Sequence, residues 1–377
     1  MVIELRDDVL APIEVKHPYA IVAITKHGVE ISRKLHAALP NTDVYYMSKF
    51  ERGDERAHNV QLFSGSVRML FPALFKHYQG IITIISLGAV VRMIAPVLVD
   101  KKVDPAVVVI DDRGENVISM LSGHLGGANA LTHTVAEALQ ANAIITTASD
   151  VQKTIPVDLF GAKFGWQWDS DTHLTPVSAS VVNEEHVAIV QETGEKDWWM
   201  HDTPMPTNLK QYDTIAEAMD AKPQAALVIT HRLLQSDELI ENAVVYRPKS
   251  LVIGMGCNRG TSTEEVEQVI QETLQELGLS IKSVKALVTF ELKKDEPCFH
   301  EVTSKYDWEF KWYSKDELNA EQVTAPSDTV FKYTGVYGVS EPAVRRYSGN
   351  SELLLVKKKS GNTTISVAEI VYEDVRE

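Results

Sequence analysis

Ile81-Ile82-Thr83-Ile84-Ile85-Ser86-Leu87-Gly88-Ala89-Val90-Val91-Arg92 passes from an unbroken apolar run into a glycine turn and then an amphipathic segment. A short, β-branched apolar run of this kind reads as a strand covered on both faces, which is the signature of a central strand in a parallel sheet. Similar runs predict strands over 21–25, 44–47, 106–110, 117–121 and 143–147. Between them, 29–39, 65–77 and 130–140 place apolar side chains at helical spacing. The alternation of strands and helices predicts a largely parallel sheet covered on both sides.

Beyond residue 152 the alternation weakens around Trp166, Trp168, Trp198 and Trp199, with strands expected only over 187–190 and 225–230. It restarts at Leu251, with strands over 251–254, 283–289, 353–357 and 363–367. A helix over 262–277 is opened by Ser262 and Glu265 in capping-box spacing. Three units follow: a parallel-sheet N-terminal α/β domain over 1–145, a small middle α/β unit over 146–248 and a separate C-terminal α/β domain over 249–377. Arg247-Pro248-Lys249-Ser250 reads as the linker before the last of them.

With 377 residues, 44% hydrophobic and 24% charged, the chain has ample material for more than one core. Its formal net charge of -15 disfavours nucleic acid and anionic membranes as partners, but not a small anion gripped by local N–H groups. No apolar run reaches membrane-spanning length, and residues 1–10 carry acidic groups where a signal peptide would be basic and apolar. The two cysteines, Cys257 and Cys298, make neither a disulfide framework nor a four-cysteine metal centre, and they suit a reducing cytoplasm. None of the 12 histidines falls in a His-Glu-x-x-His spacing, so no metal site is read from the sequence.

Candidate chemistry gathers in loops. Gly88 and Arg92 follow a strand end, where open α/β sheets hold ligands, and Arg92 suits a carboxylate; the alternative is a surface ion pair. Lys101 and Asp104 lie three apart in one loop, close enough to pair and tune a catalytic group, although charges at strand ends are commonly just solvated. Leu121-Ser122-Gly123-His124-Leu125-Gly126-Gly127-Ala128-Asn129 joins a strand to a helix. His124 there suits general acid–base chemistry, and the Gly126 and Gly127 amides suit an oxyanion. An acyl-enzyme on Ser122 ranks below direct attack by water, because the pattern is not Gly-x-Ser-x-Gly. Gly254, Gly256 and Gly260 miss the dinucleotide spacing by one residue and read as an anion-binding or tight-turn loop.

The motifs 88–92, Ala95-Pro96, Lys101, 104–109, 121–129 and 146–150 together resemble the cobalt-precorrin-5A hydrolase (CbiG) family of anaerobic cobalamin biosynthesis. So do 254–257, Lys293, Asp295-Glu296, Pro326-Ser327 and 338–343. The region 152–247 resembles the family only in length and position. The resemblance implies hydrolysis of a ring A δ-lactone on a cobalt-containing precorrin, with release of acetaldehyde. It implies a cobalt-corrinoid substrate that carries its own metal, no organic cofactor, and neighbouring pathway enzymes as further partners. Residues carried by it are His124, Asp104 and Lys101 for catalysis. Gly88, Arg92, Ser122, Gly123, Gly126, Gly127, Asn129, Lys293 and Glu296 would bind substrate. A corrinoid carrier without catalysis is the alternative reading, and a nucleotide-binding protein using the Gly254 loop is another.

Overall fold

The computed structural model describes residues 2–6, 9–324 and 326–372. It forms two compact units, Met1–Leu159 and Phe160–Glu377. The first reaches past residue 145 because the chain after the last strand keeps contributing side chains to it, His124 bonding both Asp150 and Asp158. The second contains two sheets, one from the middle region and one from the C-terminal region.

The first sheet has eight strands: β1 (Val2–Glu4), β2 (Tyr19–Ala23), β3 (Thr42–Met47), β4 (Val60–Ser64), β5 (Gly80–Ile84), β6 (Ala106–Ile110), β7 (Asn116–Leu121) and β8 (Asn142–Ile144), in the order β1-β4-β3-β2-β5-β6-β7-β8. The strands from β1 to β6 are mutually parallel. Strands β5 and β6 are buried at every residue, as the apolar runs predict. Alternate side chains feed two cores. On one face Ile21, Ala23, Ile82 and Val108 pack with Val29 and Leu35 of the helix Lys26–Ala38 and with Leu131 and Val135 of the helix Ala128–Leu139. On the other, Ala20, Val22, Ile81 and Val107 pack with Leu74 of the helix Phe71–His77 and with Val90 and Ile94 of the helix Leu87–Ile94.

The departure that matters for the site is at β7. Only Asp111 to Glu115 join β6 to β7, too few residues for a parallel crossover, which takes a dozen or more. Strand β7 therefore turns back, antiparallel, with Ile110 opposite Val117 and Val107 opposite Leu121. Asp111 closes this turn by accepting the Arg113 and Asn116 amides at 2.9 and 2.6 Å. Strand β8 runs with β7. The chain thus leaves both strands at the amino end of β6, not at the carboxyl end of the parallel set.

The middle sheet contains β9 (Gln167–Trp168), β10 (Val187–Gln191), β11 (Leu209–Tyr212), β12 (Ala225–Ile229) and β13 (Ala243–Arg247), in the order β11-β10-β12-β13-β9. Phe160 anchors an aromatic group beside it, with edge-to-face contacts at 5.5 Å to Trp166 and 5.1 Å to both Trp198 and Tyr246. The C-terminal sheet contains β14 (Leu251–Cys257), β15 (Val284–Phe290), β16 (Glu309–Tyr313), β17 (Leu355–Ser360) and β18 (Thr363–Glu369), in the order β16-β15-β14-β18-β17. The helices Thr263–Glu276 and Pro297–Tyr306 cover one face and Ser340–Ser348 the other. Ser262 caps its helix through the Glu265 amide at 3.2 Å, but the Glu265 carboxylate accepts the Asn362 amide, so the reciprocal half of the capping box is not made. Gly254 has a packing role: a Cβ there would lie 2.2 Å from the Ser340 carbonyl oxygen. The glycine lets the helix Ser340–Ser348 close on the sheet, which accounts for it without an anion.

The segment read as a linker is built into the second unit. Arg247 is 2% exposed; its Nε donates to Asp169 at 2.9 Å and its Nη1 to the Thr230 and Arg232 carbonyls at 2.9 and 2.5 Å. Truncation would strand those acceptors in the interior. Arg247→Ala is expected to destabilise the second unit by about 3 kcal/mol, read by denaturant unfolding, and trypsin is expected to leave the Lys249–Ser250 bond intact in the native chain. Early cleavage after Lys249 with unchanged stability of the variant would contradict this packing.

Candidate active site and C-terminal cavity

The glycine-rich loop after β7 has to reverse from a strand into the helix Ala128–Leu139 within a few residues. Ser122 takes φ 57° and Gly127 φ 84°, both left-handed, and a Cβ on Gly126 would lie 2.3 Å from that of Ser122. The turn closes on its own backbone: the Gly127, Ala128 and Asn129 amides donate to the His124, Ser122 and Gly123 carbonyls at 2.8, 3.0 and 2.9 Å. Of the two amides expected to serve an oxyanion, Gly127's is therefore already engaged. Ser122 Oγ is buried without a hydrogen-bond partner and does not bond His124.

His124 sits between two carboxylates. Its Nδ1 is 2.8 Å from Asp158 Oδ1 and its Nε2 is 2.8 Å from Asp150 Oδ2, with Ser149 Oγ 3.2 Å from the same Nε2. Asn129 fixes this arrangement from below, donating from Nδ2 to Asp150 at 3.1 Å and to Thr147 at 3.0 Å while its Oδ1 accepts from Ser119 at 2.6 Å. The His124 side chain is 14% exposed and that of Asp150 38%, so the outer carboxylate meets more solvent than the ring does. Hydrogen bonding to Asp158, supported by Asp150 and opposed by burial, lifts the His124 pKa above its ordinary value. With both nitrogens facing carboxylates, the imidazolium is the favoured form. Both ring nitrogens of His124 are thus engaged by carboxylates, and the ring orients Asp150.

Asp104 lies close to this loop, its carbonyl oxygen 3.3 Å from where a Gly126 Cβ would stand. Its carboxylate is buried and accepts the Val99 amide at 3.0 and 3.2 Å, while Lys101 is exposed and does not pair with it. Gly88 and Arg92 belong to the opposite end of the sheet. They follow the carboxyl end of β5, whereas Leu121 is level with Val107 and Ile81 near its amino end. At roughly 3.3 Å per residue, the length of β5 separates the two ends by more than 10 Å. Arg92 is exposed and returns to its own helix, Nη1 to the Gly88 carbonyl at 2.8 Å. The structure brings Ser122, Gly123, His124, Gly126, Gly127, Asn129 and Asp104 together, and leaves Gly88 and Arg92 apart.

Lys293 and Glu296 meet in the second unit. Lys293 Nζ is 3.0 Å from Glu296 Oε1, and Glu296 is 2% exposed. Lys293 lines a cavity of about 470 Å³ at the carboxyl ends of β14 and β15, together with Arg259, Phe290, Tyr333, Val339 and Lys357. Apolar walls with a few cationic groups suit a conjugated ligand bearing acid side chains. Asp150 stood within a quoted motif without a role, Asp158 carried no signal, and the cavity residues Arg259, Tyr333 and Lys357 were not singled out.

Family models described as "Cobalamin synthesis G N-terminal", "Cobalamin biosynthesis central region" and "Cobalamin synthesis G C-terminus" match residues 69–150, 155–248 and 251–368. The cobalt-precorrin-5A hydrolase of Priestia megaterium is 65% identical, covering 98% of this chain and all of that protein. The chain belongs to the cobalt-precorrin-5A hydrolase (CbiG) family. The family's Salmonella typhimurium member, also a cobalt-precorrin-5A hydrolase, is 31% identical over 93% of this chain and 97% of its own. A solved cobalamin biosynthesis protein G homolog from Sulfolobus solfataricus is 20% identical over 94% of this chain and 97% of its own, with a TM-score of 0.35. The middle region, without motifs in the sequence, has a family match of its own. Among the described residues, no helix is long and apolar enough to cross a membrane.

The sign of the His124 shift fixes a pH dependence. A pKa raised by folding gives stability that is fully present below the unfolded value near about 6.5 and is lost as pH rises through the raised folded value. Thermal melts of the wild type should therefore lose stability across that alkaline window relative to His124→Gln, whose melting should be flatter. Parallel profiles for the two proteins would show that the ion pairs do not form.

Proposed function

We infer that the chain is a hydrolase that opens the ring A δ-lactone of cobalt-precorrin-5A and releases acetaldehyde, giving cobalt-precorrin-5B in cobalamin biosynthesis. The observation that carries this reading is the end-to-end identity of 65% with the Priestia megaterium hydrolase. Water adds to the lactone carbonyl, the ring C–O bond breaks, and the alkoxide released on the side fragment collapses to acetaldehyde. The electron pair of the broken C–C bond passes into the conjugated macrocycle, which then takes up a proton.

Asp150, solvent-facing and oriented by His124 and Asn129, is the group placed to take the proton of an attacking water. His124, held by Asp158 on the far side, acts through Asp150: it orients that carboxylate and offsets its charge, and the proton returns to the product by way of Asp150. Asp104 supports the loop through Val99, and Lys101 is free to meet a substrate carboxylate from the exposed turn. In the second unit, Lys293, Arg259 and Lys357 give the cavity cationic groups suited to the carboxylates of a ligand. Cobalt enters within the substrate.

The test follows corrinoid mass and acetaldehyde together when the purified chain is given cobalt-precorrin-5A. Wild type should yield both products. His124→Gln and Asp150→Asn should each slow lactone opening by about 100-fold to 10,000-fold while leaving binding of the corrinoid largely intact. Stoichiometric corrinoid binding by wild type with no conversion would instead make the chain a carrier.

A further inference from the structure

Cys257, Glu296 and Cys298 are far apart in pattern terms, one at the end of a strand and two beside a helix start, yet the fold gathers them. Their ligand atoms, the two Sγ and a carboxylate oxygen, all lie within 4.8 Å of one another. Cys257 is the last residue of β14, where pairing with β18 fixes its backbone opposite Thr363. Glu296 caps the helix Pro297–Tyr306, and Cys298 is the second residue of that helix. Cys298 and Glu296 are each 2% exposed, whereas Cys257 is half-buried and lines the cavity.

We propose that Cys257, Cys298 and Glu296 bind a thiophilic divalent cation of the zinc class, with a fourth coordination position facing the C-terminal cavity. Metal–sulfur bonds of about 2.3 Å and metal–oxygen bonds of about 2.0 Å place tetrahedral ligands some 3.5 Å apart, a spacing that small side-chain adjustments reach from the present separations. Two sulfurs select zinc, cobalt or cadmium over magnesium and calcium, which prefer all-oxygen shells. The charge balance also favours a dication. Binding releases the two thiol protons, and the dication then offsets the thiolate charge in a pocket where Lys293, 3.0 Å from Glu296, and Arg259, 3.6 Å from it, already answer the carboxylate. Lys293 and the Gly260 amide, 3.4 Å from Oε2, hold the carboxylate from outside in the manner of the partners that orient metal ligands.

This ion is distinct from the cobalt of a corrinoid, whose macrocycle fills the equatorial positions and leaves one axial position on each face. It could not accept two thiolates and a carboxylate from one side. The proposal therefore does not rest on the hydrolase reading, and a metal titration without corrinoid separates the two.

The experiment titrates the metal-free full chain with Co²⁺ alone, followed by Zn²⁺ in competition. The expected result is uptake of a single equivalent, with near-ultraviolet thiolate-to-cobalt absorption, strong visible bands of tetrahedral coordination, and loss of both on adding Zn²⁺. Cys257→Ser and Cys298→Ser should each weaken binding at least tenfold and diminish the thiolate band, and Glu296→Gln should weaken binding while keeping it. Because Cys298 is buried, a second readout uses the wild type: Zn²⁺ should slow alkylation of Cys257 at least tenfold. Absence of thiolate bands together with unprotected Cys257, or bands unchanged in both cysteine variants, would overturn the proposal.

Discussion

The antiparallel pairing of β7 with β6, Val107 opposite Leu121, is the constraint on which the candidate active site depends. By reversing the last two strands of an otherwise parallel set, it delivers the glycine-rich loop to the amino end of β6. Because β8 follows β7, the segment after residue 144 emerges at the same end and supplies Thr147, Ser149, Asp150 and then Asp158. The histidine is trapped between carboxylates by topology, and the rise of its pKa follows from that placement. Open α/β sheets usually keep ligands at the carboxyl ends of their strands; here the carboxyl ends that matter belong to the reversed pair.

The glycines of this loop serve its closure. Ser122 in a left-handed conformation, Gly126 against Ser122 and Gly127 at positive φ let three successive amides return to loop carbonyls. That internal satisfaction makes a rigid platform from which the His124 ring projects, and it shifts the chemistry from backbone amides to side chains. Rigid support for a buried histidine matters because a small displacement would cost it both carboxylate partners at once.

Much of the fold was legible because central strands write themselves as apolar runs: 106–110 is a strand at its expected bounds, and 117–121 and 225–230 differ by single residues. Of the strands without a reading, Val2–Glu4, Gln167–Trp168 and Glu309–Tyr313 lie at sheet edges, where exposure removes the pattern, whereas Val60–Ser64 and Ala243–Arg247 are internal. Strand direction is a different matter, since a period of two is the same in both directions. The short turn from Asp111 to Glu115 held the missing information, because a parallel crossover does not fit in it. Arg92 lies apart from His124 for that reason, and the surroundings of His124 were not legible because Asp158 comes from a stretch with no pattern. Cys257 and Cys298, uninformative as a count of two, gain meaning only when β14 and a distant helix meet around Glu296.

The central claim is that His124 is an imidazolium bridging Asp150 and Asp158 in the resting protein. The most direct measurement is the ¹⁵N NMR spectrum of the His124 ring at neutral pH, assigned by comparison with His124→Gln. The account predicts both ring nitrogens protonated, with near-equivalent shifts, and a return to a single tautomer at neutral pH in Asp158→Asn. A neutral ring in the wild type, with one protonated and one lone-pair nitrogen, would contradict it and return the proton-accepting role to His124 itself.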